Sequence, residues 1–196
     1  VLEGIDGAGK STQLVLLAEA LRARGHDVVT AREPGGTELG ERLRALLLEA
    51  DSVTVSPQAE VLLFAAARAE LVAEVIRPAL DAGRWVVCDR FVDSSLAYQG
   101  VARGIGVDAV WDANRVAVEG CLPDRVLVLD LPVDAARARS AGDDRIELEG
   151  DRFQQRVAAG YRELAARFPE RVVLVPAAGS VEEVHAAVMA EVQPFL

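Results

Sequence analysis

Lysine is all but missing from this chain: of its 21 basic side chains, every one except Lys10 is arginine. Histidine is scarce too, and the two residues, His26 and His185, stand alone in the sequence, so neither suggests a metal site. Two cysteines, Cys88 and Cys121, do not make a disulfide framework. Cys88 falls in an apolar run and reads as a small buried hydrophobe. Positive charge is in deficit, with a net charge of −10 and a pI near 4.7, which argues against a nucleic-acid polymer or an anionic membrane as partner. A small anionic substrate stays open, because local arginines set the field inside a cleft. No apolar run approaches the ~20 residues of a membrane-spanning helix, and there is no linker, repeat or low-complexity tract. A cytoplasmic protein is the expectation. The chain begins without Met on what reads as the end of a strand, so a short upstream segment is expected and a targeting peptide is left open. What is present is 196 residues, 51% of them hydrophobic, enough to bury a full core as one domain spanning 1–196.

The single lysine lies in Gly4-Ile5-Asp6-Gly7-Ala8-Gly9-Lys10-Ser11, followed by Thr12. This is a complete G-x-x-x-x-G-K-[ST] phosphate-binding loop. Glycines at 4, 7 and 9 let the backbone wrap a polyphosphate with its N–H groups pointing inward, and the helix that follows adds its positive end. A compact ammonium fits along the β- and γ-phosphates where a planar guanidinium does not. Ser11 offers a hydroxyl to Mg²⁺. Nucleoside triphosphate binding is the first functional expectation. A GTPase would need a second lysine for an N-K-x-D guanine motif, and the chain has none. A motor or transporter ATPase would use a strand-end acid such as Asp130, but Pro132 follows at once and no partner signature accompanies it.

Short apolar runs alternate with helical segments. Candidate strands are the stub before Gly4, Asp27 to Ala31, Trp85 to Cys88, Arg125 to Asp130 and Arg171 to Val175. Leu39, Leu43, Leu46 and Leu47, and Phe153, Val157, Tyr161, Leu164 and Phe168, keep the helical period. The pattern predicts an α/β fold with a mostly parallel sheet covered on both faces and ligands beyond the carboxyl ends of its strands. Pro57 opens a long helix that is apolar all round from Val61 to Ala67 and continues through Leu71, Val72, Val75 and Ile76. One sheet cannot cover such a helix, so a homodimer is expected.

Trp85-Val86-Val87-Cys88-Asp89-Arg90 runs a strand into an acid suited to the magnesium shell and an arginine suited to a phosphate. Phe91 to Gly100 (FVDSSLAYQG) follows. Together with Arg32-Glu33-Pro34-Gly35-Gly36-Thr37 and Leu63-Phe64-Ala65-Ala66-Ala67-Arg68, these motifs resemble bacterial thymidylate kinases over essentially the whole chain. The resemblance implies a three-layer P-loop kinase fold, a five-stranded parallel sheet with helices on both faces and an arginine-bearing lid over about 137–152.

It also implies roles. Phe64 stacks on thymine, Arg68 reaches a base carbonyl, Gln99 completes recognition of the base edge and Ser95 adds a polar contact. Tyr98 packs against the sugar. Arg90 and Arg44 grip the acceptor phosphate, with Arg42 nearby as the alternative to Arg44. Glu33 and Pro34 lie over the monophosphate beside Asp6, and Glu33 helps Ser11 and Asp89 organise magnesium. The lid carries Arg137, Arg139, Arg145 and Arg152 among Asp143, Asp144, Glu147 and Glu149. Asp144-Arg145-Ile146-Glu147 resembles the lid of the bacterial class, in which the lid supplies the arginine that the loop lacks. Arg145 is the candidate for the transferring phosphoryl group, with Arg137 and Arg139 in reserve and Arg139 on the ATP side. The loop from Ala177 to Gly179 lines the adenine. The implied reaction moves the γ-phosphoryl group of ATP to dTMP, with Lys10, Arg90, Arg145 and Mg²⁺ neutralising charge. Another nucleotide or nucleoside kinase on the same fold, or an ATPase, stays as the alternative.

Overall fold

The computed structural model describes residues 1–49, 54–139 and 144–196; Asp143 and part of the expected lid lie outside them. The first half runs β1 (Leu2–Glu3), α1 (Lys10–Ala23), β2 (Val28–Arg32), α2 (Glu38–Leu48), α3 (Pro57–Leu71), α4 (Arg77–Asp81) and β3 (Trp85–Asp89). The second runs α5 (Val92–Ser95), α6 (Val107–Val118), β4 (Val126–Asp130), α7 (Val133–Arg137), α8 (Asp151–Arg167), β5 (Val172–Pro176) and α9 (Val181–Val192). All five strands are parallel in the order β2-β3-β1-β4-β5. Helices cover both faces, which is why Val126 to Leu129 is a continuous buried run rather than an alternating one. No helix among the described residues is long and apolar enough to cross a membrane.

Register brings the site together. Leu2 pairs with Asp89 and Arg32 pairs with Asp89, so β2, β3 and β1 end on one line and the loops after them leave side by side. The expected strands are present, β2 to β5 each displaced one residue toward the carboxyl end at one or both of their limits.

Helix starts follow their caps. Thr37 Oγ1 accepts from Gly40 N, and Ser56 accepts from Ala59 N with Pro57 next. Two stretches depart from the plain α-helix that the period suggests. Between α3 and α4, Val72–Ile76 is a π-turn in which Arg77 N–H reaches Val72 O; Pro78 has no N–H for the carbonyl of Glu74. After α5, the chain widens again into a π-helix over Leu96–Ala102. Against it α8 comes so near that a Cβ at Gly160 would meet Ala97 Cα at 3.2 Å.

The helix α3 is covered by α2 and α6 of the same chain. Val61, Ala65, Ala67 and Leu71 are buried, whereas Leu62 is 60% exposed. The second apolar face expected there is therefore largely satisfied within the chain.

Candidate active site

The loop after β1 has φ of 134°, 80° and 97° at Gly4, Gly7 and Gly9. At Gly7 a Cβ would fall 2.1 Å from Ala136 O, so only glycine lets the loop lie this close to α7. Lys10 begins α1 directly behind it. Its Nζ donates to Gly4 O (3.1 Å) and Ile5 O (3.0 Å) and stands 3.8 Å from Asp6 Oδ1. Burial, with Arg90 next to it, lowers the lysine's pKa. Asp6, Gly7, Ala8, Gly9, Lys10, Ser11 and Thr12 line a trough that extends to Ala177, Gly179 and Ser180 beyond β5. Ile5 is 2% exposed with its side chain in the core, and its carbonyl accepts from Lys10 Nζ.

Ser11 Oγ donates to Asp89 Oδ2 at 2.9 Å. Asp89 Oδ1 is buried and has no partner among the described residues. A hydroxyl and a free carboxylate oxygen beside a phosphate trough are the hard oxygen donors that Mg²⁺ takes, so these two residues fit the ion. Glu33 also lines the trough. Its Oε2 pairs with Arg68, the two residues being 5% and 1% exposed, because a sealed guanidinium demands a counter-charge, while its Oε1 is buried with no partner among the described residues.

A second cleft opens on the other side of Arg90 and is lined by Pro34, Phe64, Arg68, Ser95, Tyr98 and Gln99, with Leu48 and Ile146. Phe64 and Arg68 reach it from one face of α3, being four residues apart. Arg68 donates to Glu33 Oε2, Asn114 Oδ1, Ser95 Oγ and Phe91 O, and its guanidinium stands 5.4 Å from the Phe91 ring centroid. Burial pushes the Glu33 carboxyl up to about 7 against the pull of Arg68. Gln99 Nε2 donates to Glu60 Oε1 at 2.9 Å. Both Tyr98 and Gln99 lie on the π-helical stretch after α5, a backbone form that concentrates at functional sites.

The two clefts meet at Asp6, Glu33, Arg44, Arg90 and Asp144. Arg90 turns off β3 with φ 67°, a left-handed conformation costing a non-glycine residue about 1 kcal/mol or more. Its N–H is held by Leu2 O, and its guanidinium donates to Asp6 Oδ1, Gly4 O, Ser94 Oγ, Tyr98 OH and Tyr161 OH. Burial would raise the pKa of Asp6, but Arg90 and Lys10 outweigh it and hold the carboxyl at about 2. Arg44 donates to Pro34 O, while Arg42 pairs with Glu38 in solvent. Of the two, Arg44 is the one that faces the junction.

Several residues here were not anticipated. Glu3, fully buried, accepts from Phe91 N, Ser94 N, Ser94 Oγ and Tyr161 OH and so buttresses the loop that carries Arg90. Arg32 lines the phosphate trough and pairs with Glu41. Its place as the last residue of β2 was the available signal. Glu60 is a buried acid at the head of an apolar helix, an anomaly that could have been noticed.

The arginines of the lid segment go to different places. Arg139 lines the phosphate trough. Arg145 does not: its Nε donates to Leu47 O and its Nη2 to Glu60 Oε2, each within 2.8 Å, because the buried acid draws it to α3. Arg137 pairs with Asp151 in solvent.

The family model described as thymidylate kinase matches residues 2–188. A thymidylate kinase of Rhizorhabdus wittichii is 53% identical over 190 residues, covering 94% of this chain and 91% of its relative. One from Synechococcus sp. (strain JA-2-3B'a(2-13)) is 49% identical, covering 100% of this chain and 94% of its own. Among solved structures, thymidylate kinase from Ehrlichia chaffeensis superposes with a TM-score of 0.82 at 33% identity, over 98% of this chain and 96% of that one.

Proposed function

Because this chain belongs to the thymidylate kinase family, we propose that it transfers the γ-phosphoryl group of ATP to dTMP, giving ADP and dTDP. The observation that carries the reading is the meeting of two clefts at Arg90: a phosphate trough with Lys10 on one side and, on the other, a pocket with Phe64, Arg68 and Gln99. A nucleotide whose base is held in that pocket directs its 5′-phosphate at the arginines of the junction. The P–O bond to the β-phosphate bridging oxygen breaks, and a bond forms to a dTMP phosphate oxygen.

That acceptor oxygen needs no general base, since a phosphate monoester with a second pKa near ~6 is already ionised at pH 7. The task for the protein is to bring two polyanions into line and neutralise them. Lys10 serves the triphosphate, Arg90 and Arg44 the acceptor, and Asp6 holds Arg90 and Lys10 in place. Phe64 stacks on the base, Arg68 and Ser95 meet its polar edge with Gln99, and Tyr98 packs against the sugar. Ser11 and Asp89 would hold Mg²⁺, which would supply positive charge against that of the triphosphate. Arg139 is the cation of the lid segment nearest the trough, and Arg145 is the second candidate.

We further propose a cytoplasmic homodimer, formed through the exposed Leu62 of α3 and Val116 of α6, the latter 88% exposed. The test of the reaction is an acceptor panel with ATP and Mg²⁺. dTMP is phosphorylated well, UMP poorly and thymidine barely. ATP consumption without acceptor, with dTMP left untouched, refutes the proposal in favour of an ATPase.

A further inference from the structure

Glu60 has no role in moving the phosphoryl group, yet it is 1% exposed and among the most heavily bonded side chains near the base pocket. Its Oε1 accepts from Gln99 Nε2 (2.9 Å) and Arg103 Nε (3.2 Å); its Oε2 accepts from Arg145 Nη2 (2.7 Å) and Arg103 Nη2 (3.2 Å). Burial alone would raise its pKa, but the bonds from Gln99, Arg145 and Arg103 more than reverse that, and the group lies below the usual carboxylate value. It is therefore an anion at neutral pH.

An ionised carboxylate has no hydrogen to give. An amide facing it must present its NH₂, because turning the carbonyl oxygen toward it would set two acceptors against each other at hydrogen-bond distance. Gln99, 2% exposed, lines the base cleft with Phe64 and Arg68. With its NH₂ committed to Glu60, the atom it has for the cleft is Oε1. Arg68 beside it can only donate.

We propose that Glu60 is a positioning residue that sets base specificity: by locking the Gln99 amide one way round, it makes the cleft an acceptor beside a donor. Thymine matches that pattern with N3–H and a ring carbonyl. Cytosine inverts it, offering an N3 lone pair and an exocyclic amino group. The inference rests on the base pocket assigned under the proposed function.

The test compares dTMP with 5-methyl-dCMP, which differs from it only at N3 and C4. In Glu60→Gln, residue 60 both donates and accepts, so the Gln99 amide is free to sit either way. The ratio of kcat/KM for dTMP over 5-methyl-dCMP falls at least tenfold, mainly through KM. Arg103→Met removes a neighbour of Glu60 but leaves its charge, and this variant keeps the wild-type ratio. If Glu60→Gln is too unstable to assay, combining it with Arg103→Met removes the cation left without its carboxylate and allows the same comparison. A folded Glu60→Gln protein that loses both substrates equally, or neither, overturns the proposal and makes Glu60 merely structural. Failure of the wild type to phosphorylate dTMP is a separate result, and it overturns the reading of the pocket itself.

Discussion

Arg68 offers a way to separate holding the fold from holding the nucleotide. In Arg68→Met the chain keeps a long apolar stem but Glu33 is left buried without its counter-ion, and the carbonyl of Phe91 and the Asn114 and Ser95 oxygens lose a donor. Breaking a buried pair by removing one partner costs about 3–5 kcal/mol. For a chain of this size that corresponds to a fall in Tm of roughly 10 °C, at about 2–4 °C per kcal/mol. The effect depends on pH in a defined direction. Glu33 already lies at about 7 in the folded protein, above its ordinary 4.5, and without Arg68 it rises further. A carboxyl raised by folding binds more protons folded than unfolded, so stability falls with rising pH between the two values. Up to pH 7 wild type and variant share that slope. Above it only the variant continues, and the gap widens by about 1.4 kcal/mol per pH unit. Adding Glu33→Gln removes the stranded charge and restores about 2 kcal/mol or more of stability in urea unfolding at pH 8. It does not restore dTMP use, because loss of a charged hydrogen bond to the base lowers kcat/KM by about 10- to 100-fold, equivalent to about 1.5–3 kcal/mol. A double variant no more stable than the single one refutes the account of the pair. Recovery of dTMP use together with stability refutes the role of Arg68 at the base.

The arginines of the lid segment divide by readout. Arg139→Ala lowers kcat strongly, toward the ~10³-fold typical of a phosphate-clamping arginine, while Arg145→Ala acts mainly on KM for dTMP; steady-state kinetics showing the reverse assigns the phosphoryl group to Arg145. Acid unfolding reports on Asp6. Its folded pKa of about 2 lies below its ordinary 3.8, so the stability it contributes is full above pH 4 and declines as pH falls through 2. Between pH 5 and pH 2 wild type loses about 2 kcal/mol more than Asp6→Asn, and parallel stability curves for the two proteins contradict the pairing with Arg90 and Lys10.

What could be read from the sequence was what is encoded within a few residues. The phosphate loop needs three glycines, a lysine and a serine in one short run, and each strand announces itself by consecutive apolar side chains. Phe64 and Arg68 share a face for no other reason than helical spacing. The nomination of Arg90 and Gln99 came from their place in a motif after β3. Tertiary packing decided the rest, because a charge taken out of water must find an opposite charge wherever the fold supplies one. Arg68 met Glu33, and Arg145 met Glu60, across 35 and 85 residues of sequence. Glu3 and Tyr161, 158 residues apart, together brace the turn that aims Arg90. The widening of two helices into π-turns likewise escaped a 3.6-residue reading. The chain thus declares by itself a phosphate-binding α/β protein with a nucleotide pocket. Which carboxylate steadies which arginine is settled only when strands and helices bring distant residues into the same dry interior.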